Sequence, residues 1–217
     1  MTSKVKVISQ TVGVEGQSLK ELVVYCARVS NSTSQIQGKY INRLWNYLKR
    51  EKHWSPFEMA DVTMEIETTR DISRQLLRHR SFQFQEFSQR YASPLADGLR
   101  LSFRETRLQD KQNRQNSLET EDEQLKRKWV GLQSKVKDVS LGAYITALES
   151  GIAKEVARVL LPEGMTRTRL YMKGSLRSWL HFIDVRSDES SQKEIRQIAK
   201  ECDKLLRELI GEENIDG

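Results

Sequence analysis

Cysteine is nearly missing from this chain of 217 residues: Cys26 and Cys202 are the only two. They lie far apart and without any Cys/His spacing that would hold zinc, so neither a disulfide framework nor a metal site is expected. Both fall in helical-looking segments and read as buried, inert thiols. Long apolar runs are missing too, and no stretch approaches the ~18 residues of a membrane span. The opening MTSKVKVISQTV has neither the apolar stretch nor the small-residue cleavage site of a secretion signal. A cytoplasmic protein without membrane contact is the expectation. No repeat, low-complexity tract or clear linker interrupts the chain, which favours one domain over residues 1–217 around one core.

What is plentiful is charge. Charged residues make up 30% of the chain beside 37% hydrophobic ones, and the formal net charge is +6. The positive excess suits an anionic partner, which could be nucleic acid, a nucleotide or a phosphorylated cofactor. Charge alone does not choose among them.

Hydrophobic periodicity predicts a mixture of α and β. SKVKVI (3–8) alternates like a strand, and Val62, Met64 and Ile66 alternate with Thr63, Glu65 and Glu67 as a strand with one buried face. Helical spacing marks 18–30 through Leu19, Leu22, Val23 and Cys26, and 42–52 with Leu44, Tyr47 and Leu48 on one face. Another helix should follow Thr68 or Thr69 as cap, turn Ile72, Leu76 and Leu77 inward, and deliver Arg78, His79 and Arg80 at its end. A short strand is expected at 100–104. Residues 104–128 are crowded with both signs of charge and read as a solvated excursion. They lead into the best-patterned helix of the chain, with Leu125, Trp129, Leu132, Val136, Val139, Ala143 and Ala147 in steps of three and four, and it is expected to lie in the core. A helix over 151–161 stopped by Pro162, a strand over 168–172, and helices over 175–186 and 191–210 complete the pattern.

The stretch RHRSFQFQEFSQRYA (78–92) gathers Arg78, His79, Arg80 and Arg90 around the carboxylate Glu86. Guanidinium groups present fixed planar forks of donors suited to phosphate or to the carbonyl edge of a base. If the segment stays extended, Glu86, Ser88 and Arg90 share a face and offer an acceptor, a hydroxyl and a fork to one nucleotide. Phe82 and Phe84 read as a buried strand face.

Arg78-His79-Arg80, seven residues and then Ser88 resembles the signature of the flavin-dependent thymidylate synthases. HWSPFEMADVTMEIETTR (53–70), EVARVLLP (155–162) and LRSWLHFIDVRSDESSQKEIR (176–196) resemble further segments of that family in the same order. The resemblance implies an α/β subunit of α+β type, an antiparallel sheet flanked by helices, assembled as a homotetramer with active sites shared between subunits. It implies FAD as cofactor, held by His53, Ser55, Arg78, His79, Arg80, Gln85, Glu86, Ser175, Arg177 and His181; the last two, four apart, share a helix face. It implies dUMP as substrate, held by Gln75, Arg78, Glu86, Phe87, Ser88, Gln89, Arg90, Arg158 and Arg186, with Arg186 catalytic through polarisation of the uracil. NADPH would reduce the flavin, 5,10-methylenetetrahydrofolate would supply the carbon, and no cysteine nucleophile would be needed. Gln83 and Gln85 stand where the family usually has serine and asparagine, and Ser190 where a histidine is common. The competing class is a nucleic-acid-binding module. Against it, the basic residues are dispersed among nearly as many acids and no helix-turn-helix or zinc signature occurs, so nucleic acid is not the expected partner.

Overall fold

A computed structural model describes residues 3–31, 33, 39–93 and 101–212. Its frame is a four-stranded antiparallel sheet of order β1-β2-β6-β3, formed by β1 (Lys4–Gln10), β2 (Asp61–Thr69), β3 (Gln83–Glu86) and β6 (Arg167–Ser175). The long central pair, β2 and β6, sets Met64 opposite Met172 and Ile66 opposite Leu170, and all four side chains are fully buried. Each such side chain contributes about 1.5–3 kcal/mol relative to its exposed state. Gly174 on β6 is required by packing. A Cβ there would stand 2.5 Å from the Phe82 ring, so only glycine lets that ring close on the central strand and seat the segment that enters β3.

Helices α1 (Leu19–Ala27), α2 (Ile41–Arg50), α3 (Arg70–Leu76), α6 (Leu176–Arg186) and α7 (Lys193–Ile210) share one core with the sheet. The start of α1 is fixed by a capping box between Ser18 and Glu21. On α2 the buried residues are Trp45 and Leu48. Tyr47, expected on that inner face, is exposed and stacks edge-on with His53. Thr69 occupies the cap position of α3 without capping it; its hydroxyl accepts from Arg104 Nη2 at 3.0 Å instead. The Thr68 hydroxyl accepts from Ser3 at 3.2 Å. Ile72 and Leu76 point inward as predicted, while Leu77 is half-buried. Cys202 is buried, but Cys26 only partly.

Three segments differ from the sequence-based expectation. Only part of the strand expected at 100–104 lies within the described residues, and there the pairing is a single bridge between Leu101 and Thr166. Residues 104–128 are not a bare excursion: β4 (Arg107–Gln109) and β5 (Ser117–Glu119) form a hairpin ahead of α4 (Glu123–Glu149). The helix expected at 151–161 is a short α5 (Lys154–Ala157) running into a 3-10 turn over Arg158–Leu160. The largest correction concerns α4. Its buried residues are Gln133, Tyr144 and Ala147, whereas Trp129, Leu132, Val136 and Val139 are exposed. Within one chain α4 is therefore not a core helix. Its apolar packing among the described residues is confined to the C-terminal part, where Tyr144 and Ala147 meet Ala157 and Leu161, while further back Gln133 and Trp129 hydrogen-bond to the backbone of Arg104.

Candidate active site

Glu86 ends β3, where the pairing to β6 places it opposite Leu170. Its Oε1 accepts from the Ser73 and Thr168 hydroxyls, both at 2.9 Å, and lies 3.7 Å from Arg70 Nη1. Donors from α3 and β6 thus fix the carboxylate before any ligand arrives. The strand stops there. Residues 88–92 form a turn in which the Ser88 carbonyl accepts from the N–H groups of Tyr91 and Ala92. The extended face expected to align Glu86, Ser88 and Arg90 therefore does not form, and Arg90 reaches toward Glu155, 3.4 Å from its carboxylate. Phe87 continues the sheet edge, its N–H donating to the Arg169 carbonyl at 2.8 Å.

Beside this turn lies a cleft of about 420 Å³ lined by Arg70, Arg74, Gln89, Glu155 and Arg158. Arg70 and Arg74 are four apart on α3 and so share a helix face. Arg74 pairs with Glu163 at 2.9 Å, and Arg158 Nε donates to the Glu155 carbonyl at 3.1 Å. Two donors of the lining, Arg70 Nη1 and Gln89 Nε2, are buried and make no hydrogen bond among the described residues. Leaving a buried donor unsatisfied costs about 1–3 kcal/mol. Two such donors in one cationic cleft suit an acceptor-rich anion.

A second cleft, about 590 Å³, opens between the end of α2 and α6, lined by Lys49, Lys52, Trp54, Arg177, His181 and Asp184 among others. Arg177 and His181 share this face, as their spacing predicts. Ser175 caps α6, accepting from the Ser178 N–H at 3.2 Å while its hydroxyl donates to Glu58. Arg177 donates to the same carboxylate at 2.7 Å. The Ser175 hydroxyl and then Arg177 hold the Glu58 carboxyl below its ordinary pKa.

Arg186, the last residue of α6, donates from Nε to His79 Nε2 at 2.9 Å. The His79 ring lies edge-on to Phe182, 5.0 Å between centroids, in an aromatic cluster with Phe82 and Trp179. Burial first, then the charges of Arg186 and His181, push its pKa down to about 4. Arg158 lines the first cleft, whereas Arg186 lines neither. His53, Ser55, Arg78, Arg80 and Gln85 are exposed and line neither cleft.

Gln75 Nε2 donates to Gln192 Oε1 at 2.7 Å, and Gln192 Nε2 to Glu194 at 2.9 Å. Glu194 in turn pairs with Arg107 of the hairpin and, at 3.4 Å, with Arg104. Lys193 binds Glu105 and Glu119 at 2.8 and 2.6 Å. The charged excursion is thus pinned to the start of α7, one residue from the amide that holds Gln75. Sequence reasoning missed Arg70, Arg74, Glu58 and Gln192, although all four lie within or beside the motifs read above. Ser73 and Thr168 carry no signal in the sequence, because only the fold brings them to Glu86. Among the described residues no group of three His, Cys, Asp or Glu could hold a metal, and no helix is long and apolar enough to cross a membrane.

The chain matches the family described as thymidylate synthase complementing protein over residues 8–210. It is 44% identical over 207 residues to a probable flavin-dependent thymidylate synthase of Paramecium bursaria Chlorella virus 1, covering 95% of this chain and 94% of that one. To the flavin-dependent thymidylate synthase of Synechocystis it is 48% identical over 195 residues, covering 89% and 87%. Among solved structures, a UMP/dUMP methylase from Streptomyces cacaoi bound with 5-Br dUMP is similar with a TM-score of 0.78 at 26% identity, covering 95% of this chain and 90% of that one.

Proposed function

Because this chain belongs to the flavin-dependent thymidylate synthase family, whose activity is the making of thymidylate, we propose the route and the residues by which it methylates dUMP. The reductant is NADPH, the carbon donor is 5,10-methylenetetrahydrofolate, and the products are thymidylate, tetrahydrofolate and NADP⁺. FAD, when bound, supplies the hydride chemistry.

The observation that carries the assignment is the pair of buried, unsatisfied donors, Arg70 Nη1 and Gln89 Nε2, in a cleft with Arg74 and Arg158. The nucleotide's phosphate is the acceptor they lack. Glu86, fixed by Ser73 and Thr168, is an acceptor for a sugar hydroxyl. Arg186 faces the uracil, where a guanidinium favours the polarised, N3-deprotonated ring by stabilising charge that develops there. The second cleft suits the flavin nucleotide in its donor chemistry: Lys49, Lys52 and Arg177 match a diphosphate, and Trp54 offers an aromatic face. His53, Ser55, Arg78 and Arg80, exposed in one chain, are then completed by a neighbouring copy.

The exposed stripe of α4 supports assembly into a homotetramer, since a contiguous apolar face of this kind marks an interaction surface. That Arg158 lines the first cleft while Arg186 lines neither supports active sites completed between copies. Cys202 is wholly buried, and burial pushes its thiol well above the ordinary range, so it is not the nucleophile.

The test is thymidylate formation by purified protein from dUMP and methylenetetrahydrofolate. Product that requires both FAD and NADPH is the expected result. Colourless protein that binds DNA in a salt-sensitive manner and forms no thymidylate would contradict it.

A further inference from the structure

We propose that His79 is the positioning residue for Arg186: it takes up the Nε–H of the guanidinium and leaves the two terminal amino groups as a fork for the uracil. This rests on the reading of Arg186 as the residue that faces the base. The direction of the 2.9 Å hydrogen bond is not open to choice. Arginine has donors only, so His79 Nε2 must carry a lone pair, and the ring is neutral with its proton on Nδ1. A protonated ring would set two cations donor to donor.

The acceptor is itself held in place. His79 lies in the turn that closes α3, and its N–H donates to the Leu76 carbonyl at 3.0 Å. Its ring meets the edges of Phe182 and Phe82, both buried, at 83° and 88°. Phe182 and Arg186 are four apart on α6, so the residue that supports the ring and the residue the ring orients lie on one helix face. The charged and titratable neighbours of His79 are Arg186 and His181, both of which oppose its protonation.

A flexible arginine at the end of a helix must lose rotamer freedom to engage a ligand, and one hydrogen bond made in advance defines the plane of its fork. His79 therefore connects the segment that carries Arg78 and Arg80 to the residue that polarises the substrate. Its contribution acts through Arg186.

The test is a double-mutant cycle on dUMP affinity, measured by titration into flavin-loaded protein with bound FAD quantified from its visible absorbance. His79→Leu is expected to weaken dUMP by roughly tenfold, the worth of one charge-assisted hydrogen bond. In an Arg186→Ala background the same change should cost less than about twofold, because the interaction it removes is already gone. His79→Gln, whose amide oxygen can accept from Arg186, should recover most of the loss. An equal loss in both backgrounds, or a folded His79→Gln variant as weak as His79→Leu, overturns the proposal. Unchanged dUMP affinity in Arg186→Ala alone would overturn the assignment of Arg186 to the uracil, and this proposal with it, a result distinct from the other two.

Discussion

Two helices of this chain carry regular apolar stripes, and only one of them buries its stripe. On α7, Ile195, Ile198, Ala199 and Cys202 are completely buried, with Leu206 and Ile210 close behind. On α4, Trp129 is 37% exposed, Leu132 and Val136 47%, and Val139 74%. The stripe of α7 meets β1, α3 and α6 of its own chain. Among the described residues the stripe of α4 meets no comparable apolar surface; Trp129 donates a hydrogen bond to the Arg104 carbonyl, and Tyr144 and Ala147 near the helix end, with Leu141 and Leu148, join a small cluster with α5 and the turn after it. Periodicity states that a face is to be kept from water; it does not state which molecule covers it.

Substitutions can break this comparison. The largest effect is expected for Ile198→Asp, which puts a charge into the shared core and should cost more than about 4 kcal/mol, enough to abolish the cooperative urea transition. Arg107→Met comes next. It leaves the nearly buried Glu194 with only Arg104 and the Gln192 amide and cuts one of the two ties between the hairpin and α7, the Lys193–Glu119 pair remaining, with an expected loss of about 3 kcal/mol in chemical denaturation. Val139→Asp on α4 should change the stability of the single chain by less than about 0.5 kcal/mol, as an exposed substitution does. In sedimentation, however, it should shift the protein from the proposed tetramer to smaller species, and activity should fall with it. If Val139→Asp unfolds the chain like Ile198→Asp, or leaves the assembly whole, the two helices do not differ as described.

The same contrast explains what could be read from the sequence. Elements whose partners lie in the same chain were legible: β2 from Val62, Met64 and Ile66, and α6 and α7 from their spacing. The assignment of α4 to the core failed because its pattern matches that of a core helix while no apolar surface among the described residues covers its stripe. In the site, Glu86 and the arginines stood out as residue types, but their geometry did not. A turn set by two N–H groups donating to the Ser88 carbonyl ended the strand early and carried Arg90 to Glu155. Arg70 and Arg74 stand four apart just ahead of the signature and were missed, because only folding sets them beside Gln89 of the signature and Arg158 far along the chain. The charged run 104–128 looked solvated because the partners of Arg107 and Lys193, Glu194 on one side and Glu105 and Glu119 on the other, lie far apart in sequence.

Subunit mixing tests most directly the proposal of shared active sites, in which a working site takes Arg158 from one copy and Arg186 from another. Arg158→Ala and Arg186→Ala proteins, each inactive alone, are unfolded together, refolded and assayed for thymidylate. Recovery of activity in the mixture, from sites that take both intact arginines, is the predicted result. A mixture as inactive as its components, with mixed oligomers demonstrably formed, would show that both arginines serve a site within one chain and contradict the account.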